Sequence, residues 1–132
     1  MTMAGDINSY QTFDYTVHNV TIATSEATSS AVDLGNWTFM GIYMPSSWSV
    51  HSGVTTNATM TFQVATALAG TYQNLYDDLG NEIKLINATA SKSYTFGTES
   101  YLRPWRYVKF RAGDSTYPAT QSTARTIYVL TK

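Results

Sequence analysis

The chain has no cysteine, so disulfides, thiol catalysis and cysteine-based metal sites are excluded together. Charge is also scarce. Only 13% of the 132 residues are Asp, Glu, Lys or Arg, about half the usual share. Histidine occurs twice, at His18 and His51, without the HxH or HxxxH spacing of a metal site, and both read as structural or surface residues. No run of 18 apolar residues exists, which leaves no candidate for a helical membrane span. Met1 to Tyr10 holds no apolar stretch resembling a signal peptide. These absences suit a protein made and assembled in a bacterial cytoplasm. The net charge of −1 gives no molecule-wide field to attract nucleic acid.

Other missing patterns narrow the chemistry. No glycine-rich phosphate loop and no nucleophile elbow occur. Asp77-Asp78 lacks the further spaced acids of a calcium loop and reads as a turn. Nothing marks a facing pair of carboxylates as a glycosidase would need. No catalytic residue, metal ligand or cofactor is assigned, and the expectation is a protein that is not an enzyme. The sequons at Asn19, Asn36, Asn57 and Asn87 reflect a composition rich in Ser and Thr.

What the chain does have is aromatic and β-branched residues in alternating runs. Aromatics make up 14% and hydrophobic residues 43%, enough for one core. Residues 1–12 are polar and aperiodic, and read as an arm that orders only on a partner, ahead of a single domain over 13–132. Phe13, Tyr15 and Val17 alternate with polar residues. The apolar phase then flips to Val20 and Ile22, which predicts a bulge at His18-Asn19. Trp37 to Met44 is apolar on both faces, which predicts a strand covered on both sides and ended by Pro45. Met60, Phe62 and Val64 are expected to point inward, with Thr61 and Gln63 outward. Ala65 to Gly70 is a candidate helical turn. Tyr72–Tyr76 and Glu82–Ile86 flank a turn at residues 77–81, a hairpin pattern. Val108 and Phe110 are expected inside, opposite Lys109 and Arg111, and Thr126 to Leu130 reads as the closing strand. About eight strands at short intervals, with no amphipathic helix, predict an all-β antiparallel sandwich or jelly roll.

Two features suggest partner contacts. Trp48 sits in a loop, Ser46 to Thr56, as an exposed aromatic candidate. The stretch Arg103-Pro104-Trp105-Arg106-Tyr107-Val108-Lys109-Phe110-Arg111 interleaves four cations with aromatics. It could grip single-stranded nucleic acid. The near-zero net charge favours a protein contact instead, with Trp105 as anchor and Arg103 and Arg106 meeting acidic groups.

The block Val32-Asp33-Leu34-Gly35-Asn36-Trp37-Thr38, then Gly41-Ile42-Tyr43-Met44-Pro45-Ser46-Ser47-Trp48, Met60-Thr61-Phe62-Gln63-Val64 and Tyr72-Gln73-Asn74-Leu75-Tyr76-Asp77 resembles a family of small tailed-phage and prophage virion structural proteins. Arg106 to Gly113 and Pro118 to Leu130 resemble that family's later strands, so the likeness spans about residues 30–131. The loop Ser49 to Asn57 is longer than the family's, and Ala65 to Gly70 stands where an Asp-Gly turn is usual. The resemblance implies a jelly-roll-like β-sandwich and a capsid decoration (cement) role on the outer surface of the head. It also implies a homotrimer, with the major capsid protein as partner and no nucleic acid or membrane. A tail or head-completion protein of the virion and a carbohydrate-binding β-sandwich module, with Trp48 and Trp105 as its platform, are the alternatives.

Overall fold

A computed structural model gives the fold and describes residues 15–35, 39–50, 59–86, 88–96, 102 and 104–131, with residues 39 and 40 by backbone alone. The expected arm over 1–12, Phe13, Trp37, His51 and Arg103 lie outside the described residues. Among the described residues, nine strands follow one another: β1 (Thr16–Ile22), β2 (Val32–Asp33), β3 (Phe39–Tyr43), β4 (Thr59–Ala65), β5 (Gln73–Asn74), β6 (Lys84–Ile86), β7 (Ser93–Thr95), β8 (Tyr107–Ala112) and β9 (Arg125–Thr131).

The strands form two antiparallel sheets. The first runs β1-β9-β3-β7. The second runs β2-β8-β4, with β5 and β6 end to end along the far edge of β4. The pairings nest: β1 with β9, β2 with β8, β3 with β7, and β4 with β5 and β6 together. Successive pairs alternate between the two sheets, and that wrapping of one long folded hairpin is the jelly roll. Residues 75–83 leave the sheet between β5 and β6, so the two behave as one interrupted strand of an eight-stranded roll.

Period-2 alternation builds the core between the sheets. Val20, Ile42, Met44, Ile127 and Val129 from the first sheet meet Met60, Phe62, Val64, Val108 and Phe110 from the second, all at most 5% exposed. The Phe62 and Phe110 rings meet edge to face, 5.5 Å between centroids. Such contacts add to the stabilisation from burying both rings.

Three expectations need correction, and one holds with an addition. The first concerns β1, which has no bulge: it pairs with β9 in unbroken register from Ile22↔Arg125 to Thr16↔Thr131. Tyr15 and Val17 are therefore on the outward side, 46% and 49% exposed, and no phase flip occurs. Secondly, β3 is not covered on both sides at Tyr43. Ile42 is buried whereas Tyr43 is 57% exposed. The one that holds concerns Thr61 and Arg111, which point away from the core but are also buried, because loops cover them. Lastly, in the stretch Ala65 to Gly70, Ala65 ends β4 and residues 66–70 form bends and a turn, not a helix, with the Gly70 N–H donating to the Ala67 carbonyl. The 77–81 turn is present. Asp77 Oδ1 accepts from the Leu79 and Asn81 N–H groups, and Gly80 supplies the left-handed φ of 84°.

Candidate interaction surfaces

Alternation and register fix what each sheet shows to the outside. On the first sheet, Ile42 and Val129 point inward, so Tyr43, Tyr128 and Leu130 point outward. Tyr128 stands between Asn19 and Tyr43, Leu130 opposite Val17, Thr126 opposite Thr21, and Tyr43 opposite Ser93. The Tyr43 and Tyr128 rings meet edge to face at 5.9 Å. Thr21 and Thr126 share a hydroxyl–hydroxyl bond of 3.0 Å. No Asp, Glu, Lys or Arg is among the described residues of this face. At its end, Tyr43, Met44, Pro45, Ser46, Ser91 and Ser93 line a depression of about 200 Å³.

The outward side of the second sheet is built from charge. The Arg111 guanidinium donates to Thr61 Oγ1 (3.0 Å), Asn74 Oδ1 (2.9 Å) and Glu82 Oε2 (2.8 Å). The other Glu82 oxygen accepts from the Ser115 hydroxyl (2.9 Å) and N–H (3.2 Å). The Thr61 hydroxyl in turn donates to the Gly113 carbonyl. Arg111 and Glu82 side chains are 7% and 8% exposed, so this is a desolvated pair held by a closed set of hydrogen bonds. Gly113 is at φ 82°, and a Cβ there would run into the Tyr117 carbonyl, so the loop over the pair requires glycine. Lys84 reaches Asp114 at 3.2 Å on the same side. Burial pushes the Asp114 carboxyl up, but the Tyr117 N–H, Lys84 and the Thr116 N–H outweigh it and leave it below the ordinary value.

The residues singled out from sequence are spread over the molecule. Trp48 is half-buried and packs on both core clusters, the smaller one being Ile22, Ala112 and Ala119. The next residue is clamped by the buried Gln121, which accepts from the Ser49 N–H (2.9 Å) and donates to its carbonyl (3.0 Å). Trp105 is half-buried against the main core. Arg106 is exposed and forks onto Asp33, Nε to Oδ1 at 2.8 Å and Nη2 to Oδ2 at 3.1 Å. Hydrogen bonds from Arg106 and from the Gly35 N–H hold the Asp33 carboxyl below the usual range. Ala65, Thr66, Pro104, Trp105, Arg106 and Tyr107 line an open groove of about 380 Å³.

Within the basic stretch, each described cation is engaged inside the chain. Arg106 is on Asp33, Lys109 sits 4.6 Å from the Tyr72 ring centroid, and Arg111 is in the buried network. Trp105 and Arg106 share one groove, and Trp48 is not part of it. The tyrosine face was missed from sequence, although the apparent flip at Val17 and the two-sided pattern at Tyr43 were its signals. Among the described residues, no group of three or more His, Asp or Glu is placed to hold a metal ion. Comparison with known proteins returns no matching family model, no matching curated protein and no matching solved structure.

Proposed function

We propose that this protein decorates the outside of a tailed-phage head and stabilises it, docking on the major capsid protein through the charge-free face of the first sheet. That face carries the reading: Val17, Tyr43 and Tyr128 are 49%, 57% and 39% exposed on one side of one sheet. An exposed apolar and aromatic patch marks an interaction site, and tyrosine supplies contact area with little side-chain entropy to lose. A face without charge suits a lasting contact, because no ion has to be stripped of water. The likeness of Val32 to Tyr76 and of Arg106 to Leu130 to virion structural proteins supports the same reading, as does a jelly roll, a fold used in capsid and lectin domains.

Purified heads lacking the protein should take it up to saturation and then release DNA at a higher temperature. Tyr43→Glu should lower occupancy while leaving the circular dichroism spectrum unchanged. Wild-type protein that is found in the tail and is absent from heads would replace this reading by the tail alternative. The groove beside Trp105 and Tyr107 favours one other reading, a carbohydrate-binding module. Saturable glycan binding lost in Trp105→Ala would establish that reading instead.

A further inference from the structure

A β-sandwich has exposed strand edges, and folded proteins protect them with short strands, charges, prolines or interruptions. Three of the edges here are protected in these ways. The β7 edge is three residues long. The β2 edge is two residues long and ends on Asp33, held by Arg106. The β5–β6 edge is cut by the excursion at residues 75–83 and carries Lys84. Among the described residues, the β1 edge has none of these devices. It is seven residues long, Thr-Val-His-Asn-Val-Thr-Ile, without proline, Lys, Arg, Asp or Glu, and without a bulge. Among the described residues it pairs on one side only, with β9.

The strand is also complementary to itself. Laid antiparallel on a second copy and centred on Asn19, all seven residues find partners: Thr16 opposite Ile22, Val17 opposite Thr21, and His18 opposite Val20. β-branched residues pair with one another or with His18, and no like charges meet. A two-fold axis perpendicular to the sheet keeps both outward faces on the same side. Strands of seven, seven, five and three residues about 4.8 Å apart give a face on the order of 350 Å². That is a little under half of the roughly 800 Å² per partner in a standard interface, and two joined faces approach it.

We propose that two copies of this chain pair antiparallel along β1, joining their first sheets into one eight-stranded sheet about a two-fold axis at Asn19. The backbone ladder supplies the adhesion, as in other strand-addition complexes. The pairing doubles the charge-free face and so lets one dimer meet two capsid subunits at once. It differs from the trimer that the sequence resemblance implies. The size argument rests on the docking reading above, whereas the edge and self-complementarity arguments do not.

The test uses the full chain. Sedimentation should give twice the chain mass for wild type. Asn19→Lys, which places two lysines against each other at the axis, should halve it with an unchanged circular dichroism spectrum. The protein has no cysteine, so a single introduced one reports geometry cleanly. Paired residues in an antiparallel ladder have Cα atoms about 4.5–5.5 Å apart, within disulfide reach. Asn19→Cys should therefore form disulfide-linked dimers on mild oxidation, and Thr116→Cys, exposed on the opposite side, should not. A monomeric or trimeric wild type, or a dimer that survives Asn19→Lys, overturns the pairing. A dimer that ignores heads overturns the docking reading alone, and a monomer that binds heads overturns the pairing alone.

Discussion

Tyr43 and Arg111 hold comparable positions, each on an inner strand of its sheet with its side chain pointing away from the core. Tyr43 is 57% exposed and Arg111 is 6% exposed. The difference lies in the loops. On the second sheet the excursion at residues 75–83 and the loop at 113–118 fold over the outward side, and Glu82 and Ser115 close the hydrogen bonds that a buried guanidinium requires. On the first sheet no described loop does this, and the side chains there are ones that tolerate water but gain from losing it. One sheet is therefore covered by its own chain, and the other is left open among the described residues, as the proposed docking requires.

The largest effect should come from the layer the two sheets share. Phe62 belongs to the second sheet but packs among residues of both, so Phe62→Ala should cost about 3–5 kcal/mol in denaturant unfolding. A loss below about 1 kcal/mol would mean that this ring is not in a packed layer.

Next comes the covered face. Arg111→Met leaves Glu82 buried without its cation and should cost about 3 kcal/mol, the lower end for a broken buried pair because Ser115 still donates to it. Adding Glu82→Leu should recover much of that loss, since a buried pair replaced by apolar groups is often neutral. If Arg111→Met is as harmless as a surface change, the two outward faces differ less than their burial implies.

Tyr43→Ser with Tyr128→Ser probes the open face and should do little to folding, about 1 kcal/mol for the lost ring contact. Head occupancy should fall sharply. Loss of stability without loss of occupancy would make this face structural and move the docking surface elsewhere.

The same contrast explains what the sequence revealed. Met60-Phe62-Val64 and Val108-Phe110 were legible because a buried face opposite a polar one leaves a clean period of two. At Tyr15 and Val17 the outward face is itself apolar, and the pattern imitates a flip of register. At Tyr43 it imitates a strand covered on both sides. Both misreadings fall on the face proposed to dock, where an interaction surface looks like core. Arg111 with Glu82 was illegible for another reason: the partners are 29 positions apart, and only the fold joins them. Trp48 read as exposed because a loop aromatic gives no sign that the end of a sandwich will receive it.

The smallest effect separates the sheets by pH. His18 lies on β1, half-buried, with Nε2 3.0 Å from Thr131 Oγ1. Burial lowers its pKa from 6.5, and the nearby Asp33 charge only partly offsets this. The unfolded chain therefore binds a proton more readily than the folded one. The contribution of His18 is full above pH 6.5 and is lost as pH falls through the lower folded value. Asp33 and Asp114, on the second sheet's side, are also depressed, from 3.8. Their contribution is present above 3.8 and is lost only as acid reaches their folded values. Melting temperature followed from pH 8 downward should show two declines, the first beginning near 6.5 and the second below 3.8. His18→Gln should remove the first decline and keep a second, while Asp33→Asn should soften the second and deepen the first, because its charge no longer offsets the burial of His18. If the decline near 6.5 persists in His18→Gln, the sensitivity belongs to another group, and His18 does not couple the β1–β9 pairing to pH.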